Sequence, residues 1–348
     1  MTVINNMLAS IGHTPVLSLS HLLPEGSAKL FVKLEGYNPG GSIKDRPALN
    51  MINNALDKGL LKPNGTIVES TSGNLGVALA MISAIRGFRC IIVVDPRTSP
   101  NNVAMIKAFG AEVDTVTEKN PIDGTYQEAR IKRTKYLAES IPGAYMPYQY
   151  GNPANPTAHV NTTATEILND FTNGPDSVVI AVSTAGQITG IARGLKEQNA
   201  KTKIIGVDVK GSVVFGGEKG PTAVTGMGLG WVPENLDPTL IDEAYLVETQ
   251  HCFSTSRLIA KKFGVLLGGS SGASLFVAIN QAMKMSQDKT VLAIASDRGE
   301  KYLQEFYNDS WMKEKNLDIT DDFSYIINSA KILNAYRYPS AEPSPKAA

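Results

Sequence analysis

The sequence predicts an α/β protein with two open, mainly parallel, twisted sheets flanked by helices. Three observations carry this expectation. Short β-branched apolar runs alternate with helical patterns from about Lys29 to about Ala295, and buried apolar strands of that kind belong to parallel sheets covered by helices. The alternation breaks in PYQYGNPANPTAHVN, at 147–161, where prolines and asparagines mark a crossover between two units. A chain of 348 residues, 43% of them hydrophobic, is also long enough for two coupled cores.

In chain order the expected strands are AKLFVKLE, GTIVES, CIIVVD, EVDTVT, SVVIAVS, KIIGVDV and TVLAIAS, each short, apolar and rich in β-branched residues. Between them lie the helical patterns RPALNMINNALDKGLL, NNVAMIKAFG, GQITGIARGLKEQN and GASLFVAINQAMKMS. The last residues, YPSAEPSPKAA, read as a frayed tail.

Thirty-three basic residues balance thirty-three acidic ones. No charge footprint points to nucleic acid, and no basic run suggests an anionic membrane. The longest apolar runs are strand-length, far short of a membrane span. Of the two cysteines, Cys90 sits in a strand pattern and reads as core, and Cys252 follows His251 without a zinc-ligand spacing. Two cysteines exclude a disulfide framework and suit a cytoplasmic protein. The segment MTVINNMLASIGHTP lacks the basic and apolar blocks of a signal peptide.

Ligands of open α/β sheets bind beyond the carboxyl ends of the strands, so loops running from a strand into a helix are the ones to inspect. The loop NPGGSIKDRPALN, 38–50, places Lys44 just before a helix expected to start near Pro47. A surface lysine is the plain reading. Positive charge at a helix N-terminus, however, disfavours a protonated amine, and a neutral lysine can attack an aldehyde.

In ESTSGNLGVALA, 69–80, the residues Thr71, Ser72, Gly73, Asn74 and Leu75 bring hydroxyls, an amide and free N–H groups to a helix start, which suits a carboxylate. An ordinary cap by Ser72 or Asn74 is the simpler alternative. In VSTAGQITG, 182–190, Ser183, Thr184, Ala185, Gly186 and Gln187 form a small-residue turn that could cradle a phosphate, or simply a tight strand–helix turn. It is neither a Walker loop nor a dinucleotide fingerprint. LLGGSSGASL, 266–275, sets Ser270 at another helix start, where it reads as a hydrogen-bond partner for a ring nitrogen or as a cap. Four histidines, none in a triad context, make a serine hydrolase the weaker reading. GMGLG, 226–230, follows no expected strand and reads as a flexible loop.

These four loops, in this order, resemble the fold-type II pyridoxal-phosphate enzymes of the cysteine synthase and cystathionine β-synthase family, over about Ile11 to Leu303. The resemblance implies a larger cofactor-binding domain from 1–43 and 152–315, a smaller mobile domain at 44–151, and a C-terminal extension at 316–348. It implies that Lys44 carries pyridoxal 5'-phosphate as a Schiff base and moves the substrate α-proton. Asn74 is implied on the cofactor's ring hydroxyl, the 183–187 loop on its phosphate, and Ser270 on its pyridine nitrogen. Thr71, Ser72, Gly73, Leu75 and Gln149 match the substrate-carboxylate positions. The expected reaction is β-replacement on an O-activated L-serine through an aminoacrylate, with no metal, in a homodimer that takes small amino-acid substrates.

Several stretches depart from ordinary cysteine synthases: Leu75 in the asparagine loop, STAGQ at the phosphate turn, DPRTSPNN at 95–102, and VDVKGSVVFGG. In these the chain is similar to the siderophore-type synthases that join O-phosphoserine to L-glutamate on the way to 2,3-diaminopropionate. That subgroup binds substrate with an arginine, a tyrosine and a serine, matched here by Arg130, Tyr150 and Ser183. Within YQEARIKRTKYL, Arg130 also reads as a solvated helix residue. QYGNPANPTAHVN keeps the form of true cysteine synthases, so sulfide stays open as the nucleophile.

Overall fold

The computed structural model describes residues 3–119, 126–198 and 200–336; the YPSAEPSPKAA tail lies outside them. Ten strands form two sheets among the described residues: β1 (Val16–Ser18), β2 (Lys29–Leu34), β3 (Thr66–Ser70), β4 (Arg89–Val94), β5 (Glu112–Thr115), β6 (Ala144–Tyr145), β7 (Ser177–Ala181), β8 (Lys203–Val209), β9 (Glu243–Val247) and β10 (Thr290–Ala295). The larger sheet runs β1-β2-β10-β7-β8-β9 and is parallel except where β1 meets β2. The smaller runs β5-β4-β3-β6 and is wholly parallel. The expected two-sheet architecture is present.

The helices are α1 (Asp45–Asp57), α2 (Asn74–Arg86), α3 (Pro100–Ala108), α4 (Gln127–Ser140), α5 (Ala154–His159), α6 (Thr165–Asp170), α7 (Gly186–Glu197), α8 (Thr249–Phe263), α9 (Gly269–Lys284), α10 (Asp309–Glu314) and α11 (Phe323–Lys331). Every strand read from the sequence forms. β9 and α8 were not anticipated, because EAYLV sits beside acidic residues and TQHCFSTSRLIAKKF mixes polar residues into its buried face.

The larger sheet is buried on both faces, and period-two alternation decides which side chain meets which core. Along β7, Val178 and Ile180 join the cluster under α7 with Ile188 and Ile191. Val179 and Ala181 point the other way, toward Phe253 of α8 and Phe276 of α9. β10 repeats the pattern, with Leu292 and Ile294 on the first side and Val291, Ala293 and Ala295 on the second. The smaller sheet has its own core, where Met51 and Ile52 of α1 meet Leu75 and Leu79 of α2 and Ile92 of β4. Each aliphatic side chain of this size, fully buried, contributes about 1.5–3 kcal/mol relative to exposure.

Residues 316–336 are not detached from this frame. Ile326, Ile327 and Ala330 of α11 bury themselves in the larger core, and Tyr336 N donates to Ala244 O at 2.7 Å. Among the described residues no helix is long and apolar enough to cross a membrane.

Candidate active site

A cavity of about 130 Å3 opens where loops leave the carboxyl ends of β2, β3, β6, β7, β8 and β10. Lys44, Thr71, Ser72, Gly73, Asn74, Leu75, Arg130, Gln149, Tyr150, Ser183, Thr184, Ala185, Gln187 and Ser270 all line it. Of the residues singled out from the sequence, only Gly186 is absent from the wall. It opens α7 against Asn155, where a Cβ would sit 2.1 Å from Asn155 Oδ1. One consequence of parallel topology is that loops scattered along the sequence from Lys44 to Ser270 meet at one end of two sheets.

Four helix N-termini border this cavity, and no side chain caps any of them. Lys44 itself is the N-cap of α1, which starts at Asp45, two residues before the position expected from Pro47. Gly73, Ala185 and Gly268 are the N-caps of α2, α7 and α9. The simpler account of Ser72 and Asn74 as ordinary caps therefore fails. First-turn N–H groups without an internal partner are anion sites. Ala185 holds φ +59°, the left-handed region that glycine usually occupies at such a turn.

Burial lowers the Lys44 amine to about 8, with Asp297 pulling the other way. Desolvation, rather than the helix terminus inferred from sequence, is the main cause. Arg46, the second residue of α1, fixes the start of this helix: its guanidinium bonds Glu35 through Nε at 2.7 Å and Glu166 through Nη1 at 2.6 Å. Gln187 accepts from Ser296 Oγ at 3.3 Å, while its buried Nε2 has no partner. Thr184 Oγ1 accepts from Asn155 Nδ2 at 3.3 Å.

The opposite wall is built from Arg130, Gln149 and Tyr150. The Arg130 side chain is 14% exposed, so it is no solvated helix residue. Its Nε lies 3.3 Å from Asp95 Oδ2, from the divergent DPRTSPNN stretch, and its buried Nη1 has no partner. Tyr150 packs edge-on against Trp231 at 5.0 Å, and burial raises its phenol to about 12. Gln149 O accepts from Asn155 Nδ2 and Asn235 Nδ2, both at 2.7 Å. Beneath, burial raises the Glu69 carboxyl to about 7, while the N–H groups of Ser70, Tyr148 and Gln149 oppose the shift.

Sequence reasoning missed Ile43, Ala181, Ile188, Thr225, Gly226, Ser296 and Tyr302, which complete the lining. Gly226 belongs to the glycine run set aside as a flexible loop; its φ of +84° suits only glycine comfortably. Ser296 and Tyr302 follow β10 in SDRGEKYL, a strand-end loop that the sequence reading passed over.

The sequence profile of the family described as pyridoxal-phosphate dependent enzyme matches residues 7–297. This chain belongs to that family. Pyridoxal phosphate is therefore its cofactor. The N-(2-amino-2-carboxyethyl)-L-glutamate synthase of Ralstonia nicotianae is 38% identical over 311 residues, 89% of this chain and 91% of that protein. A probable cysteine synthase of Bacillus subtilis is 38% identical over 307 residues, 87% of this chain and 97% of its own. Among solved structures, an O-ureido-L-serine synthase matches with a TM-score of 0.83 at 33% identity, covering 93% of this chain and 99% of that one. The O-acetylserine-dependent cystathionine β-synthase of Helicobacter pylori matches at 0.80 and 36%, covering 88% and 99%.

Proposed function

We propose that this enzyme replaces the phosphate of O-phospho-L-serine by the amine of L-glutamate, forming N-(2-amino-2-carboxyethyl)-L-glutamate, a 2,3-diaminopropionate precursor. The coarser reaction, β-replacement on a serine derivative, agrees with the relatives of this pyridoxal-phosphate enzyme. Arg130 carries the finer reading. A guanidinium with a free, buried Nη1 on the cavity wall suits a phosphate leaving group or a second carboxylate, and sulfide offers neither.

The cavity fits the cofactor. The uncapped start of α7 and the unpartnered Gln187 Nε2 suit its phosphate, with Ser183 and Thr184 beside them. Lys44 would hold it covalently, Asn74 would face its ring hydroxyl, and Ser270 its pyridine nitrogen. Bound there, pyridoxal phosphate supplies an electron sink for the substrate α-carbon.

The chain's own groups do the rest. Thr71, Ser72 and the first N–H groups of α2, Leu75 included, bind the α-carboxylate together with Gln149. Lys44 Nζ, whose pKa burial lowers to about 8, takes the α-proton and later returns it. Arg130, with Tyr150 and Ser183, holds the departing phosphate and then the incoming glutamate carboxylate. Thr225 and Gly226 cover the cavity on the β8 side and limit water. Segment 44–151 is read as the moving part, carrying Thr71, Ser72 and Arg130 toward the larger sheet. The whole is read as a cytoplasmic homodimer.

The second reading is a cysteine synthase using O-acetyl-L-serine and sulfide, favoured by the QYGNPANP stretch and by the Bacillus subtilis relative. A spectral titration separates the two. O-phospho-L-serine should change the visible absorbance of the holoenzyme, and L-glutamate should restore it with the expected product found by mass spectrometry. A response to O-acetyl-L-serine reversed only by sulfide would replace the first reading with the second.

A further inference from the structure

Two side chains of the unexamined loop after β10 grip Asn74 from behind. Lys301 Nζ donates to Asn74 Oδ1 at 2.6 Å, and Asn74 Nδ2 donates to Asp297 Oδ2 at 2.8 Å. Tyr302 Oη donates to the same Asp297 oxygen at 2.7 Å. Lys301 Nζ also reaches Gly40 O at 3.5 Å, in the loop leading to Lys44. Asn101 Nδ2, from α3, donates to Lys301 O at 3.1 Å. Asn74 and Asn101 belong to elements of the smaller sheet, whereas Asp297 and Lys301 follow the last strand of the larger one.

A lysine in GEKYL would ordinarily be a surface residue, yet Lys301 is 8% exposed and Asp297 2%. Residues of these types are almost never so buried without partners. An ammonium only donates and a carboxylate only accepts. Between them the Asn74 amide has one orientation: its oxygen meets Lys301 and its NH2 group meets Asp297. The flipped amide would set NH2 against an ammonium and oxygen against a carboxylate. In the orientation found, one N–H of Nδ2 is engaged by Asp297, and the second lies on the side of the Tyr302 phenol, which shares the cavity wall with Asn74.

We infer that Lys301 and Asp297 are positioning residues that fix Asn74 as a hydrogen-bond donor toward the ring oxygen of pyridoxal phosphate. Lys301 further ties that donor to the Lys44 loop, so the two cofactor contacts are set together across the gap between the sheets. The inference rests on the reading of Asn74 as the ring-hydroxyl partner and is independent of which nucleophile the enzyme uses.

Cofactor retention by the holoenzyme, measured by equilibrium dialysis, and its visible spectrum test this directly. Lys301→Met should weaken retention roughly tenfold and alter the visible band, as expected for loss of one charge-assisted bond. Lys301→Arg should restore most of both. In an Asn74→Ala background Lys301→Met should cost nothing more, because its effect passes through the amide. Should Lys301→Met fail to fold, the isosteric Asp297→Asn gives the same test, since a second amide no longer dictates the orientation of the first. Unchanged retention and spectrum in Lys301→Met or Asp297→Asn, or additive losses in the double variant, would overturn the inference while leaving Asn74 in its role. Unchanged retention in Asn74→Ala would overturn both.

Discussion

Two groups of buried polar side chains flank the start of α1, and they are completed in different ways. In the first, Arg46, Lys33, Glu35 and Glu166 match two cations with two anions. Arg46 reaches both carboxylates, and Lys33 Nζ lies 2.9 Å from Glu166 and donates to Thr14 O at 3.0 Å. These contacts hold the Glu166 carboxyl down at about 2 and push the Arg46 guanidinium up. In the second group, around the cavity, Gln187 Nε2 and Arg130 Nη1 are buried without a partner, and Lys44 has been brought toward neutrality. A buried polar group left unpaired costs about 1–3 kcal/mol. The closed group has its polar atoms matched within itself, whereas the open one leaves polar atoms free, as the proposed cofactor and substrate roles require.

Substitutions on the two sides should therefore separate cleanly. The largest effect is expected for Lys44→Ala, which would remove the proposed cofactor anchor and proton carrier together. Turnover should fall by at least roughly a thousandfold, and the visible absorbance of the bound cofactor should vanish while the apoenzyme melts as before. Retained turnover would end the assignment. For the unmodified apoenzyme, cofactor capture should speed up as pH rises through about 8, the value to which burial lowers the Lys44 amine, because only the neutral amine attacks.

Arg46→Ala should do the reverse, lowering stability by about 3–5 kcal/mol by stranding buried carboxylates, as read by chemical denaturation. The contribution of Glu166 has a definite sign. Its folded pKa is depressed, so its stabilisation is complete above its ordinary value of 4.5 and fades as pH falls toward about 2. Acid unfolding monitored by circular dichroism should begin earlier once Arg46 is gone. If Arg46→Ala left stability unchanged and changed kinetics alone, the contrast between the closed and open groups would collapse.

Arg130→Ala should spare cofactor retention and cost less stability than Arg46→Ala, because Asp95 keeps Arg97 as a partner, but should lower kcat/KM for O-phospho-L-serine or L-glutamate about a hundredfold, the loss expected for a charge-assisted bond of about 3 kcal/mol. Unchanged kinetics would remove the main support for the proposed substrates. The smallest effect is expected for Ala185→Gly. Relief of the left-handed backbone at φ +59° and greater freedom of the unfolded chain act in opposite directions, so the melting temperature should move by no more than a few degrees. A large loss of cofactor would show that the Ala185 methyl group does more than fill the turn.

The four loops that resembled a known family were legible because each is a short run of consecutive residues at a strand–helix junction, where local chemistry is confined to a few positions. Ser72 and Asn74 show the limit of such reading: the sequence left a simple cap open, and only the position of Gly73 at the N-cap closed it. Arg130 shows another limit, since its helix pattern is the same whether its side chain meets solvent or Asp95. Asp297 and Lys301 left no signal at all, because their partner Asn74 lies more than two hundred residues away.

The sequence by itself therefore determined the two-sheet α/β class, through strand-length apolar runs alternating with helices, and the chemical identity of the residues in each loop. Tertiary structure alone decided that the loops meet in one cavity, which polar groups there lack partners, and how far Lys44 is desolvated. Those properties depend on distance and on exclusion of water, and both are set by how the two sheets pack rather than by any stretch of neighbouring residues.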